Sequence, residues 1–275
     1  MKKILTTIAI TFLLLAPNMA FADLIAQYSF TGNANDESGY GNDGTVYGAT
    51  LTEDRFGNTN SAYSFDGLND YIFIASPLPE ILSPTESLSI SVWVKADQYG
   101  NSSYSSIVGG IVAAQYDHDY TGYSVMLDYR ESAHGGVQGG VHFQLGEGSD
   151  WWTTGSQGTT ATAIDLNEWT HIVAVADVDD IYKVYFNGVL VSEWTAGTSI
   201  DYGNWNNLRI GDNENGGGDN RSFDGAIDDI NIFNHALTEA EIQNLYSPVP
   251  EPSTMLLLAS GLVGLAGFRR KFRKR

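Results

Sequence analysis

Carboxylates are the residues of this chain best suited to chemistry, and two of them stand side by side in an apolar setting. In Phe223–Tyr246, FDGAIDDINIFNHALTEAEIQNLY, the residues Ile227, Ile230 and Ile232 mark a strand that Asp228 and Asp229 interrupt. Two adjacent carboxylates in a strand are costly unless one faces solvent and the other has a partner. The histidines, His118, His134, His142, His171 and His235, form neither a nucleophile elbow nor a paired zinc-ligand motif. Asp117-His118-Asp119 reads as a charged loop tip. Trp151-Trp152, in GEGSDWWTTGSQG, offers a different chemistry. Adjacent residues of a strand point to opposite faces, so one of the two rings is free to stack on a pyranose while Asp and Asn oxygens accept hydroxyl protons. The competing reading packs both rings under loops. Tyr116, Tyr120, Tyr202 and Trp205 are weaker candidates of the same kind, and Trp93 and Trp169 are assigned to sheet packing.

These groups must be positioned by short strands. Ser87–Lys95, SLSISVWVK, alternates apolar and polar positions as a half-buried strand does. Leu24–Phe30, a strand pair in Tyr63–Ile74 around Asp66-Gly67, and short strands at Ser106–Ala113, Gly122–Asp128 and Gly140–Leu145 follow the same logic. Trp169–Ala176 and Ile181–Phe186 flank a turn at Asp179-Asp180, and Asn187-Gly188 opens a hairpin into Val189–Trp194. Leu208–Gly211 precedes the last strand. Thr238 with Glu241 three residues on is a capping box, and Leu237 can staple onto Ile242, which predicts one short helix. About a dozen short strands and one helix indicate an antiparallel sandwich.

The two ends of the chain read differently from its body. Residues 1–22 have the form of a secretory signal: Lys2 and Lys3, the apolar run Ile4–Leu15, and Ala20-Phe21-Ala22 with cleavage after Ala22. At the other end, residues 249–275 place Pro250-Glu251-Pro252 before an apolar segment, 254–268, and a basic cluster, 269–275. Basic residues after an apolar segment keep that end in the cytoplasm, and the segment is short for a permanent span, which suits transient anchoring in the inner membrane. Residues 23–248 fit a single all-β domain with a sizeable core. They retain only six basic residues, Arg55, Lys95, Arg130, Lys183, Arg209 and Arg221, against 32 of the 33 acidic ones, a formal charge of 6 minus 32, or −26. That surface repels nucleic acid and anionic lipid and favours divalent cations. With no cysteine, an exported domain relies on core burial or bound metal rather than on disulfides.

Two resemblances rest on these residues. The tail resembles a PEP-CTERM sorting signal, with its Pro-Glu-Pro motif, hydrophobic helix and basic cluster in order. This implies recognition by an exosortase-type membrane protease, and display on the cell surface or in the extracellular matrix of a Gram-negative bacterium. The body, through "AQYSFTGNANDESGYGNDGTVYGA", "SAYSFDGLNDYI", "LSISVWVK", "EWTHIVAV", "VYFNGVLV", "LRIGD" and "FDGAIDDINIFNHALTEAEI", is similar to LamG-like jelly-roll domains of the concanavalin A-like lectin and glucanase superfamily. The resemblance implies two antiparallel sheets with the first and last strands adjacent; with the capping box and the sorting tail, the chain reads as a jelly-roll sandwich with one short helix before a single hydrophobic tail helix.

It also implies that the loop of Asp36 and the strand of Asp228 belong to the family's signature. With the chain ends adjacent, Asp36 and Asp228 become candidate side-chain ligands of a structural calcium ion, loop carbonyls completing its shell. The alternative leaves Asp36 as a turn-forming residue and Asp228 facing water. Asp212–Asn220, DNENGGGDN, lacks the alternation of an EF-hand and reads as a solvated loop. Glucanases of the superfamily set two or three acids at alternate positions of one strand. No such run is present here, and Asp177, Asp179 and Asp180, the nearest approach, fall in a turn. The expectation is an exported domain that binds glycan or exopolysaccharide without catalysis. The alternatives are a structural surface protein using the sandwich for protein adhesion and, more remotely, a glycan-active enzyme.

Overall fold

A computed structural model describes residues 24–75, 77–99, 108–116, 121–129, 137–146, 158–177, 181–195, 200–203, 207–213 and 221–247. Alternation drives the architecture. In β6 (Ser87–Ala96), Leu88, Ile90, Val92, Val94 and Ala96 are fully buried, while Ser89, Ser91, Trp93 and Lys95 point the other way. β11 (Thr170–Asp177) and β15 (Asp224–Phe233) flank β6 as antiparallel neighbours. The first sheet continues through β12 (Ile181–Phe186) to β13 (Val189–Thr195) on one side. On the other side, β4 (Ala62–Asp66) leads to β3 (Thr50–Thr52), and β1 (Leu24–Tyr28) pairs with the second half of β15. The first and last strands are thus adjacent, Leu24 opposite Phe233.

The second sheet runs β10 (Thr159–Ala163), β9 (Gly140–Leu145), β8 (Thr121–Asp128), β7 (Val108–Tyr116), β14 (Leu208–Ile210), β5 (Tyr71–Ala75) and β2 (Thr45–Tyr47). Its inward residues, Tyr123, Val125, Leu127, Val141, Phe143, Leu145, Ile72 and Ile210, meet those of the first sheet in one core. All described strand pairs are antiparallel, and the fold is a two-sheet jelly-roll sandwich.

Three departures from expectation have physical reasons. β4 and β5 do not pair with each other; Gly67, at φ 71°, turns the chain from one sheet into the other. β2, β3 and β10 lie in polar, threonine-containing stretches whose weak alternation hides them. β1 stops at Tyr28 because Phe30 adopts a left-handed φ of 52°. The Asn187-Gly188 hairpin forms as expected, both residues at positive φ. So does the helix α1 (Glu239–Tyr246), whose Thr238 and Glu241 complete the capping box. Among the described residues no helix is long and apolar enough to cross a membrane; the signal segment, Ala22 and the tail lie outside them.

The centre of the first sheet holds an irregularity. Ile227 and Ile230 are three residues apart, so strict alternation would send them to opposite faces. Between Asp228 and Asn231 the register with β6 shifts by one residue, a β-bulge in which Asp229 takes φ 45°. The extra residue returns Ile230 and Ile232 to the core beside Ile227. Nearby, Gly225 sits so close to β6 that a Cβ would lie 2.2 Å from the Lys95 carbonyl oxygen. Gly225→Ala is expected to cost about 1–3 kcal/mol, read as a lower urea midpoint. An unchanged midpoint would contradict this packing.

Candidate functional site

The bulge brings the Asp228 and Asp229 carboxylates to one cation, on the sheet face turned away from the core. The β3–β4 hairpin supplies it. In its loop Asp54 accepts hydrogen bonds from Phe56 N, Asn58 N and Asn58 Nδ2, each at 2.8 Å, and this self-bonded turn presents Arg55. Arg55 Nη1 donates to Asp228 Oδ2 at 3.0 Å and to Asp229 Oδ2 at 2.6 Å. Its guanidinium lies 4.3 Å from the Phe56 ring centre and 4.5 Å from that of Trp93. The partner of the acid pair is therefore an arginine. Sequence reasoning missed Arg55, although it is one of only six cations in the acidic body and is bracketed by Asp54 and Phe56.

Helix α1 and the turn before it cover the neighbouring part of this face. Ser89 Oγ donates to His235 O and accepts from Leu237 N, while Tyr246 stacks on Trp93 and His171. His171 sits buried beneath it, its Nε2 2.8 Å from Ser91 Oγ. Burial first, and the Arg55 charge second, push its pKa down to about 3, so the ring is neutral. Trp93 is packing, as expected.

One cation facing three carboxylates leaves this cluster acid-rich. Burial, then the Asp229 charge, raise Asp228 to about 7 against the opposing pull of Arg55, and Asp54 adds to the rise. A buried acid beside a second carboxyl suggests catalysis in other proteins, but here the Asp228 carboxyl is enclosed. The Asp228 side chain is 3% exposed, its Oδ2 is held by Arg55 and its Oδ1 by the Asp229 N–H.

The calcium expectation does not fit this arrangement. Asp36 Oδ1 accepts from Gln27 N and Ser38 N, and Oδ2 from Asn42 N and Nδ2. Against burial, which acts the other way, these hydrogen bonds hold its carboxyl below the usual range. Asp36 organises its own loop, and Asp228 faces a guanidinium that would repel a cation. Each carboxylate has partners of its own, and among the described residues no group of three or more His, Asp or Glu is placed to hold a metal.

The outer face of the second sheet is built differently. Asp128, Thr159 and His142, respectively 1%, 4% and 6% exposed, form a relay there. Thr159 Oγ1 donates to Asp128 Oδ2 at 3.1 Å, which makes His142 Nδ1, 2.8 Å away, the donor to Thr159. Ser124 and Met126 share this outward parity on β8, and Gln144 shares it on β9. Of these, the polar residues at alternate positions, Ser124 and Asp128 on β8 and His142 and Gln144 on β9, are the readable signal. Trp151 and Trp152 lie outside the described residues, as do Tyr120, Trp205 and the side chain of Tyr116. The segment containing the tryptophans joins β9 to β10, the strands that carry His142 and Thr159. Tyr202 is a packing residue, donating to Pro84 O and meeting Tyr123 edge-on.

A family model described as the concanavalin A-like lectin/glucanases superfamily matches residues 65–243. The chain belongs to that superfamily. A second model, the PEP-CTERM protein-sorting motif, matches residues 248–271 and marks the chain for export and sorting to the cell surface. No curated protein matches. Among solved structures, domain 4 of AbnA, a GH43 extracellular arabinanase from Geobacillus stearothermophilus, in complex with arabinotriose, is similar at 22% identity and TM-score 0.61. The match covers 82% of this chain and 98% of that domain. The binding domain of Paraclostridial Mosquitocidal Protein 1 matches at 17% identity and TM-score 0.62, over 82% of this chain and 52% of that one. Botulinum neurotoxin type C, whose cell entry depends on interaction with two ganglioside molecules, matches at 15% and TM-score 0.54, over 82% and 51%. The chain spans about half of each toxin structure, and at these identities the likeness is one of fold.

The Asp228 shift has a consequence for stability. Its folded pKa, about 7, lies above its ordinary value of 3.8, so the folded state holds an extra proton between the two. Stability from this group is greatest below about pH 4 and falls as pH rises towards 7. Asp228→Asn is expected to flatten that part of the stability–pH curve; a curve of unchanged slope would refute the assignment. Arg55→Ala leaves the pair without its cation and should cost about 3–5 kcal/mol at pH 8, and less at pH 5, where Asp228 is protonated.

Proposed function

We propose that this exported surface protein binds glycan without catalysing its cleavage, through the outer face of the second sheet and the Trp151-Trp152 segment that joins β9 to β10 in the sequence. One observation carries the reading: the two outer faces of the sandwich are unequal. The first is covered at its centre, over β6, β11 and β15, by the chain's own helix and by the Arg55 hairpin. The second carries, beneath its surface, a buried hydrogen-bonded polar cluster, Asp128–Thr159–His142, at positions where apolar side chains would satisfy packing alone. Polar groups arranged beside aromatic side chains are what a saccharide site requires. The arabinotriose held by the AbnA domain supports the reading by likeness of fold only. The PEP-CTERM motif implies processing by an exosortase, and we take its product to be displayed at the surface or in the matrix.

Two experiments test this. Full-length protein in mild detergent should be retained by insoluble neutral polysaccharides, with and without calcium, and Trp151→Ala/Trp152→Ala should weaken retention. Wild-type protein that flows through every matrix would sink the glycan reading. Separately, Glu251→Ala should leave unprocessed chain in the membrane fraction; normal release would count against sorting by this motif.

A further inference from the structure

At the far edge of the same face the register sets aromatic rings in a row. Ile72 and Ile210 point to the core, so their strand neighbours Tyr71, Phe73 and Arg209 point outward, and Tyr47 lies opposite Tyr71. Tyr47 and Tyr71 stack at 4.7 Å with 16° between their planes. On the other side of Tyr71, the Arg209 guanidinium lies 4.4 Å from the ring centre and is fixed by Asp212 at 3.2 Å. Guanidinium, ring and ring form a column whose free end, Tyr47, is 46% exposed. Beside it Gly48 has φ 77° and no side chain, which lets an Asp70 carboxylate oxygen come within 1.8 Å of where a Cβ would stand. A fixed aromatic platform with a carboxylate acceptor at its side suits a sugar ring, whose C–H face stacks while its hydroxyls donate.

Charge narrows the ligand. The body carries six basic residues against 32 acidic ones, and Arg209 is already engaged by Asp212. A polyanion approaching this face meets repulsion.

We propose that Tyr47, backed by Tyr71 and Arg209, is a stacking platform for an uncharged or amine-bearing polysaccharide and excludes polyuronates and sulfated chains. The proposal rests on the glycan reading above and adds the place and the charge class. β2 and β9 are five strand steps apart, roughly 24 Å at 4.7–4.9 Å per step. A ligand that spans from the platform to the β9–β10 end of this face is thus a chain of sugars rather than a single one.

Affinity electrophoresis of the full-length protein through gels containing neutral β-glucan, chitosan or alginate tests this. Retardation by β-glucan or chitosan but not by alginate is expected. Tyr47→Ala should weaken the retardation at least about fivefold, Tyr47→Phe should preserve it, and the melting temperature of both should match the wild type. If the wild type is retarded and Tyr47→Ala is retarded equally, the platform is wrong and the glycan reading stands. Equal retardation by alginate overturns the charge class. No retardation by any of the three overturns the glycan reading and the platform with it. A dimer that Tyr47→Ala dissociates would assign the face to self-association instead.

Discussion

One extra residue in β15 governs how the first sheet is built. The strand must present Ile227, Ile230 and Ile232 to a single core, and only a bulge reconciles that odd spacing with a two-residue period. The bulge turns two consecutive carboxylates toward one cation on the outer face. Uncompensated, they would repel each other at the edge of the core, so the hairpin loop of Arg55 is held over the bulge. The aromatic packing of Trp93 against Arg55, His171 and Tyr246 extends the same arrangement to the terminal helix. β1, β6 and the β3–β4 hairpin thus meet at β15.

That closure divides the labour between the faces. With α1 and the Arg55 loop over the centre of the first sheet's exterior, our proposal assigns recognition to the second sheet. There the outward positions carry hydroxyls, an imidazole, a carboxylate and, towards β2, stacked tyrosines. The acidic body favours solubility at a surface and sets the sign of what it can approach. The sorting motif begins just beyond α1, so the helix that packs on the first sheet directly precedes the processing signal in the sequence.

Much of the fold was legible because its signals are local. Ser87–Lys95 alternates without a flaw, Asn187-Gly188 demands a hairpin, and Thr238 with Glu241 demands a helix start; each forms as its residues dictate. The site was less legible because its partners are distant in the chain. Arg55 and Asp228 are separated by 173 residues, and nothing in either segment names the other. The link drawn instead, Asp36 to Asp228 through calcium, followed from the adjacency of the chain ends. That adjacency is real, β1 beside β15, but hydrogen bonding within the Asp36 loop and the Arg55 guanidinium occupy the two carboxylates. Short Thr-rich strands such as β10, and with them the pairing that positions Thr159 against His142, left no periodic trace.

The central claim is that glycan is held on the second sheet while the first is sealed by its own chain. Hydrogen–deuterium exchange of the full-length protein, with and without a saturating neutral β-glucan oligosaccharide, reads this directly. Binding should slow exchange in β2, β5, β9 and β10 and leave β6, β15 and α1 unchanged. Slowing confined to β15 and α1, with the second sheet untouched, would contradict the account.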